Sequence, residues 1–236
     1  MCTIFAAVAK HIPTYRFWLS YLWEQVLEVT SSPHNDYLHV SLVHGRLQLV
    51  AEDAIYSFGD YYLNFRKLFE VFDFEQLPDN ARVLLLGLGL GSIPELLEDI
   101  HELNYDYVAV EIDPVIIELA TDYSLPAILS PVEVHEADAY QFLQLDARKY
   151  DLICVDVFQD ATVPEHLDTH SFLELLQQSL EEGGAIIYNR LADTREHRRL
   201  ARDYYEGPFL SAFPVGTVFD SGGNLMLVND GKFLRK

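Results

Sequence analysis

The sequence predicts an α/β fold: an open, largely parallel sheet covered by helices on both faces, closed by an antiparallel hairpin and preceded by a small antiparallel β unit. Three observations predict it. From residue 82 onward, strand-like apolar runs alternate with helix-like segments, the pattern of strands joined by crossover helices. The first of these runs, V-L-L-L, breaks into glycines at Gly87, Gly89 and Gly91, and a helix-like segment opens directly behind them, which is the layout of a nucleotide-binding strand–turn–helix. The chain then ends on V-G-T-V-F-D, S-G-G and N-L-M-L-V-N, two strands joined by a glycine turn.

Taken in order, the elements are set by period and punctuation. Behind an aromatic lead-in (Phe17, Trp18, Tyr21, Trp23), Q-V-L-E-V, Y-L-H-V-S-L-V and R-L-Q-L-V alternate at period two. His44-Gly45 sits where a tight hairpin turn belongs. Tyr61, Phe65, Leu68, Phe69 and Phe72 recur at helical spacing, so residues 60–72 read as a helix packed on the C-terminal domain. Leu77-Pro78-Asp79-Asn80 ends it and divides residues 1–78, the N-terminal segment with its β unit, from residues 79–236, the α/β domain. Within that domain the strand segments are 83–86, 107–111, 132–135, 152–156 and 185–189. Helix segments are expected at 93–101, 114–123, 140–145, 172–181 and 194–205. Ser92 with Glu95 reads as a capping box. Pro114 suits a first helical turn, and Gly183-Gly184 suits a helix stop.

Composition narrows the function. Of 236 residues, 37 are Asp or Glu against 16 Lys or Arg, a net charge of −21. Such a field repels phosphate backbones, which argues against a nucleic-acid partner, and attracts cations such as amines or a sulfonium. Lys10, Arg16 and Glu24 interrupt the N-terminal apolar stretch well before the roughly 18 residues a membrane span needs, so no membrane partner is expected. Cys2 and Cys154 are the only cysteines, too few for a disulfide framework and consistent with a reducing cytoplasm. The apolar N-terminal segment and β unit are read as a homodimer surface.

In open α/β sheets, ligands bind beyond the carboxyl ends of the strands. Those positions hold the glycine loop, then Glu111 and Asp113, then Asp138-Ala139, then Asp156. Glu111 stands about 20 residues behind the loop, where a carboxylate accepts hydrogen bonds from ribose hydroxyls. Asp113 and Asp138 also stand where helix caps belong. His166 and His170, four apart with Glu165 and Asp168 beside them, have a spacing that places two imidazoles on one helical face.

Five alternating strands followed by a hairpin resemble the seven-stranded, Rossmann-like sheet of class I S-adenosylmethionine (SAM) dependent methyltransferases. From about residue 26 onward the chain resembles the spermidine synthase family of aminopropyltransferases, which share that sheet. The segments G-R-L-Q-L-V-A-E-D, V-E-I-D-P, E-A-D-A-Y-Q-F-L, Y-D-L-I-C-V-D-V-F and P-E-H-L-D-T-H-S-F-L-E-L-L carry the likeness together with the glycine loop. The resemblance implies that Glu111 binds the ribose, that Asp138 binds the adenine amino group and that Asp156 stands beside the reacting centre. It gives the His166–His170 segment no metal role, and no metal site is expected. The candidate nucleoside-binding set is Gly87, Gly89, Gly91, Glu111, Ile112, Asp138, Ala139 and Asp156, with Asp156 and Tyr56 as the candidate catalytic pair.

The chain also departs from the family pattern. Leu90 stands where the family carries an aspartate that helps hold the aminopropyl amine, and Gln159 stands where a second strand-four aspartate is usual, with Asp160 one residue late. The expectation is a SAM-binding transferase acting on a small-molecule acceptor, an amine among the candidates, and moving a methyl group in preference to an aminopropyl group from decarboxylated SAM. A true aminopropyltransferase, a non-catalytic binding or oligomerisation scaffold and a dehydrogenase remain open at this point.

Overall fold

The computed structural model describes residues 10–52, 54–158 and 163–235. Cys2, Gln159 and Asp160 lie outside them. A short helix α1 (Thr14–Leu19) leads into a four-stranded antiparallel sheet, β1 (Gln25–Thr30), β2 (Leu38–Val43), β3 (Arg46–Ala51) and β4 (Ala54–Ser57), in the order β1-β2-β3-β4. The sequence pattern contained three of these strands; β4 is too short to show a period. His44 and Gly45 join β2 to β3 with φ of 49° and 77°, the two left-handed residues of a tight hairpin turn.

A 3-10 turn (Gly59–Tyr61) and helix α2 (Leu63–Val71) link this sheet to the larger domain. Phe65, Leu68, Phe69 and Phe72 are at most 1% exposed, as the helical spacing predicts. The larger sheet has seven strands: β5 (Arg82–Leu86), β6 (Asp106–Glu111), β7 (Val132–Glu136), β8 (Tyr150–Val155), β9 (Leu180–Leu191), β10 (Thr217–Asp220) and β11 (Asn224–Val228). Their order is β10-β11-β9-β8-β5-β6-β7. β5 to β9 pair in parallel, while β11 pairs antiparallel with β9 and β10. The expected seven-stranded sheet with a terminal antiparallel hairpin is the one observed.

The parallel strands are nearly continuous apolar runs because both faces are buried. Alternate residues go to opposite sides. Val83, Leu85, Ala109, Cys154 and Ile187 join the core beneath α2, α3 (Ser92–Asp99) and α4 (Pro114–Tyr123). Leu84, Leu86, Val110, Ile153 and Tyr188 join the core beneath α5 (Ala139–Leu145), α6 (His170–Ser179) and α7 (Arg195–Tyr204). α7 continues through a π-helical turn containing Pro208 into α8 (Leu210–Ala212). The chain reverses its progress across the sheet between β5 and β8, which makes the crevice beyond their carboxyl ends the place for a ligand.

Two local expectations are corrected. The helix after the glycine loop has Gly91 as its N-cap, with φ of 78° and no side-chain cap bond. Ser92 instead exchanges a hydrogen bond with Ser57 at 2.6 Å and accepts from the Phe58 N–H. The capping box is absent because the hydroxyl is used to tie β4 to the loop. Gly183 and Gly184 do not end a helix: α6 stops at Ser179, and the pair lies within β9, where a Cβ on Gly184 would come within 2.9 Å of the Asp151 carbonyl oxygen. His166 and His170 fall on separate elements, a 3-10 turn (Glu165–Leu167) and the first residue of α6, so they share no helical face. Among the described residues no helix is long and apolar enough to cross a membrane.

Candidate active site

A cavity of about 850 Å³ opens at the crevice between β5 and β8, within the range of small-molecule sites. Its floor is the carboxyl ends of the strands. Its roof is the N-terminal unit, through the loop of His34 and Asn35, the strand β4 and the 3-10 turn before α2. Six acids line it, Glu111, Asp113, Asp138, Asp156, Glu165 and Asp193, and among the described residues no lysine or arginine does. That balance favours a cationic ligand.

The glycine loop is shaped by packing as much as by ligand approach. Gly87 has φ of 94°, and a Cβ there would lie 2.2 Å from the backbone oxygen of Asp156; no other residue fits. Gly89, with φ of 54°, faces β4, where a Cβ would stand 3.2 Å from the Tyr56 backbone oxygen. Gly87 and Gly89 line the cavity, whereas Gly91 serves the turn into α3. Leu90 points away from the cavity: it is 2% exposed and belongs to the buried cluster with Ile93 and Leu96.

Glu111 ends β6 and accepts hydrogen bonds from the Leu88 N–H at 3.1 Å, the Gly89 N–H at 3.5 Å and the Asp113 N–H at 3.1 Å. Burial pushes its pKa up, opposed by these backbone donors. A carboxylate has about four accepting positions, so this one retains capacity for hydroxyl donors in the cavity. Ile112, 45% exposed, and Ala139 form apolar wall beside it. Asp113 is 1% exposed and caps α4 through the Val115 N–H at 2.9 Å. Its other oxygen accepts from the Asn35 amide at 2.7 Å and from the Ser32 hydroxyl. Asp113 thereby fixes the N-terminal loop over the cavity.

Asp138 does two things. One oxygen caps α5 through the Gln141 N–H at 3.0 Å, and the other meets the His166 Nε2 at 2.8 Å. Asp138 thus caps α5 and also lines the cavity.

Asp156 follows β8 and is held on both oxygens. The Tyr62 hydroxyl donates to Oδ2 at 2.8 Å, and the Asn189 amide donates to Oδ1 at 2.8 Å. The Asn224 amide in turn donates to the Asn189 oxygen at 2.8 Å. Burial raises the Asp156 carboxyl from 3.8 to about 6; the bonds from Asn189 and Tyr62 oppose that rise, and the Glu111 charge adds to it. A carboxylate in that range is poised to take a proton near neutral pH. Tyr56 also lines the cavity, but its hydroxyl donates to the Asn35 oxygen at 3.2 Å. Tyr62, the N-cap residue of α2, is stacked on Phe65 at 5.9 Å and brings a second phenol to the cavity. Asn189 was legible as the polar residue ending the fifth parallel strand segment; nothing in the sequence ties Asn224 to it, since only strand register brings them together.

The Spermine/spermidine synthase domain matches residues 72–205, more than half of the chain. A polyamine aminopropyltransferase of Vibrio vulnificus is 33% identical over 121 residues, 50% of this chain and 40% of that protein. An N-terminal histidine N-methyltransferase of Emericella nidulans is 33% identical over 117 residues, 48% of this chain and 20% of that protein. The chain thus spans well under half the length of these curated relatives. Among solved structures, the spermidine synthase of Thermotoga maritima superposes with a TM-score of 0.64 at 15% identity, covering 86% of this chain and 72% of that one. Human methyltransferase-like protein 13 in complex with SAH gives a TM-score of 0.53 at 27% identity over 64% of this chain and 72% of that one. The match over residues 72–205, on a seven-stranded sheet whose strand ends carry the glycine loop and its acids, makes the chain a member of the spermine/spermidine synthase family.

Proposed function

We propose that this protein is a SAM-dependent transferase that moves a methyl group to a small nitrogen-bearing acceptor. An acid-lined cavity without lysine or arginine among the described residues suits a sulfonium nucleoside and a cationic acceptor. Glu111 is assigned to the ribose hydroxyls, Asp138 to the adenine amino group, and Gly87, Gly89, Ile112 and Ala139 to the walls against which the nucleoside lies. When bound, the donor supplies an electrophilic carbon attached to sulfur. Asp156 takes the proton that the acceptor nitrogen must lose to become a nucleophile, and Tyr62 and Asn189 fix the direction of its lone pairs. Tyr56, with Asn35, closes the roof.

The observation that carries the preference for methyl transfer is Leu90. Where the resemblance places an aspartate for the aminopropyl amine, this chain has a leucine buried in the core, turned away from the cavity. Decarboxylated SAM would bring an ammonium there with no partner from residue 90, and burying a charge unpaired is costly; SAM carries an ammonium at the same distance from sulfur but pairs it with its own carboxylate. The similarity to an N-terminal histidine N-methyltransferase agrees with this reading. Aminopropyl transfer is the second reading, favoured by the polyamine aminopropyltransferases among the relatives and by the acidic cavity. Incubation with SAM or decarboxylated SAM and a panel of amines and imidazoles, read by mass spectrometry, separates the two. Methyl increments from SAM are expected; aminopropyl increments from decarboxylated SAM alone would overturn the preference.

A further inference from the structure

The carboxylate at the end of β8 is tied to the last hairpin of the chain. Asn189 is 1% exposed and stands with its amide 2.8 Å from Asp156 Oδ1 and its oxygen 2.8 Å from the Asn224 amide. Strand register sets this up. Asn224 lies opposite Leu191 in the β9–β11 pair, so Asn189, two residues along, is its diagonal neighbour on the same face of the sheet. The Asn224 backbone is fixed as well, because its carbonyl accepts from both the N–H and the hydroxyl of Ser221.

We propose that Asn224 is a positioning residue for Asp156, acting through Asn189. This rests on Asp156 being the group that takes the acceptor's proton. An ionised carboxylate only accepts hydrogen bonds, so Asn189 serves it only with its NH2 side forward. A carboxamide is nearly symmetric in shape, and rotating it by half a turn would set its oxygen against the Asp156 oxygen, two acceptors face to face. Packing does little to forbid that rotation. The Asn224 amide opposes it, because it donates to the Asn189 oxygen in the productive orientation, and reversing Asn189 would require both amides to turn together. On the other side, Tyr62 donates to Oδ2. Two asparagines and one tyrosine therefore fix a single carboxylate, on which the Glu111 charge also acts. Asn189 thus turns its NH2 to Asp156 and its oxygen to Asn224.

The test is a titration of the Asp156 side-chain carboxyl by carbon-13 NMR, its signal identified by its loss in Asp156→Asn. Asn224→Leu removes the donor at similar volume. Asn224→Asp keeps the shape and replaces the donor by an acceptor, which favours the reversed Asn189 amide. The Asp156 midpoint is expected to rise by about one pH unit in Asn224→Leu and further in Asn224→Asp, with the pH of half-maximal transfer rising in parallel. Thermal melts establish that each variant folds, and Asn224→Asp carries the test if Asn224→Leu does not. A midpoint unchanged in a folded Asn224 variant, while Asn189→Leu raises it, would overturn the proposal and leave Asn224 a strand residue. If Asp156→Asn left transfer unchanged, the assignment of Asp156 as proton acceptor would fail instead; the titration would still decide the role of Asn224.

Discussion

Replacing Asp156 by asparagine is expected to stabilise the fold while removing the proposed proton acceptor. Burial lifts this carboxyl from 3.8 to about 6. Between those values the unfolded chain has already lost the proton and the folded chain still holds it. The folded state then binds more protons, so stability falls as pH rises through this window and is level above it. At about 1.4 kcal/mol per unit, the loss is about 1 kcal/mol near pH 4.5 and about 3 kcal/mol near pH 7.5. Asparagine imitates the neutral acid: its oxygen accepts from Asn189 and its NH2 donates to the Tyr62 oxygen. For a chain of this size, about 2–4 °C accompany each kcal/mol. Asp156→Asn should therefore melt about 6–12 °C above wild type near pH 7.5 and about 2–4 °C above it near pH 4.5. Scanning calorimetry at the two pH values reads both numbers, and other acids that titrate in the window largely cancel in the comparison. A variant that melts below wild type near pH 7.5, or a gap independent of pH, would refute the reasoning.

Three further outcomes are expected. Gly87→Ala places a Cβ 2.2 Å from the Asp156 backbone oxygen at a φ of 94°, so it should cost about 3 kcal/mol or more by urea unfolding. Glu111→Gln should weaken nucleoside binding about tenfold by calorimetry, the loss of a charged acceptor, while the melting temperature holds or rises because a buried charge is removed. Glu95 is raised to about 7 by burial and by the nearby charges of Asp99 and Asp60. Glu95→Gln should therefore raise the melting temperature above pH 7 and leave it little changed near pH 4.

The sheet was legible because parallel strands buried on both faces are written as continuous apolar runs. The acids ending them, Glu111, Asp113, Asp138 and Asp156, do come together around one cavity. What escaped depends on contacts between distant segments. Ser92 looked like a cap until β4 supplied Ser57 and the Phe58 N–H as its partners. Tyr62, at the start of α2, turns its hydroxyl to Asp156, a partner 94 residues away in the chain. The shortness of β4 hid the strand that roofs the site. Asn189 and Asn224 meet only through antiparallel register, a property of pairing that no local pattern encodes.

The central claim is that this cavity holds a SAM-type nucleoside with its donor end free of an aminopropyl-amine acid. Calorimetric titration with SAM, decarboxylated SAM and methylthioadenosine tests it directly. Binding of SAM and methylthioadenosine, with SAM favoured over decarboxylated SAM, is the predicted result; no heat with any of the three would contradict it.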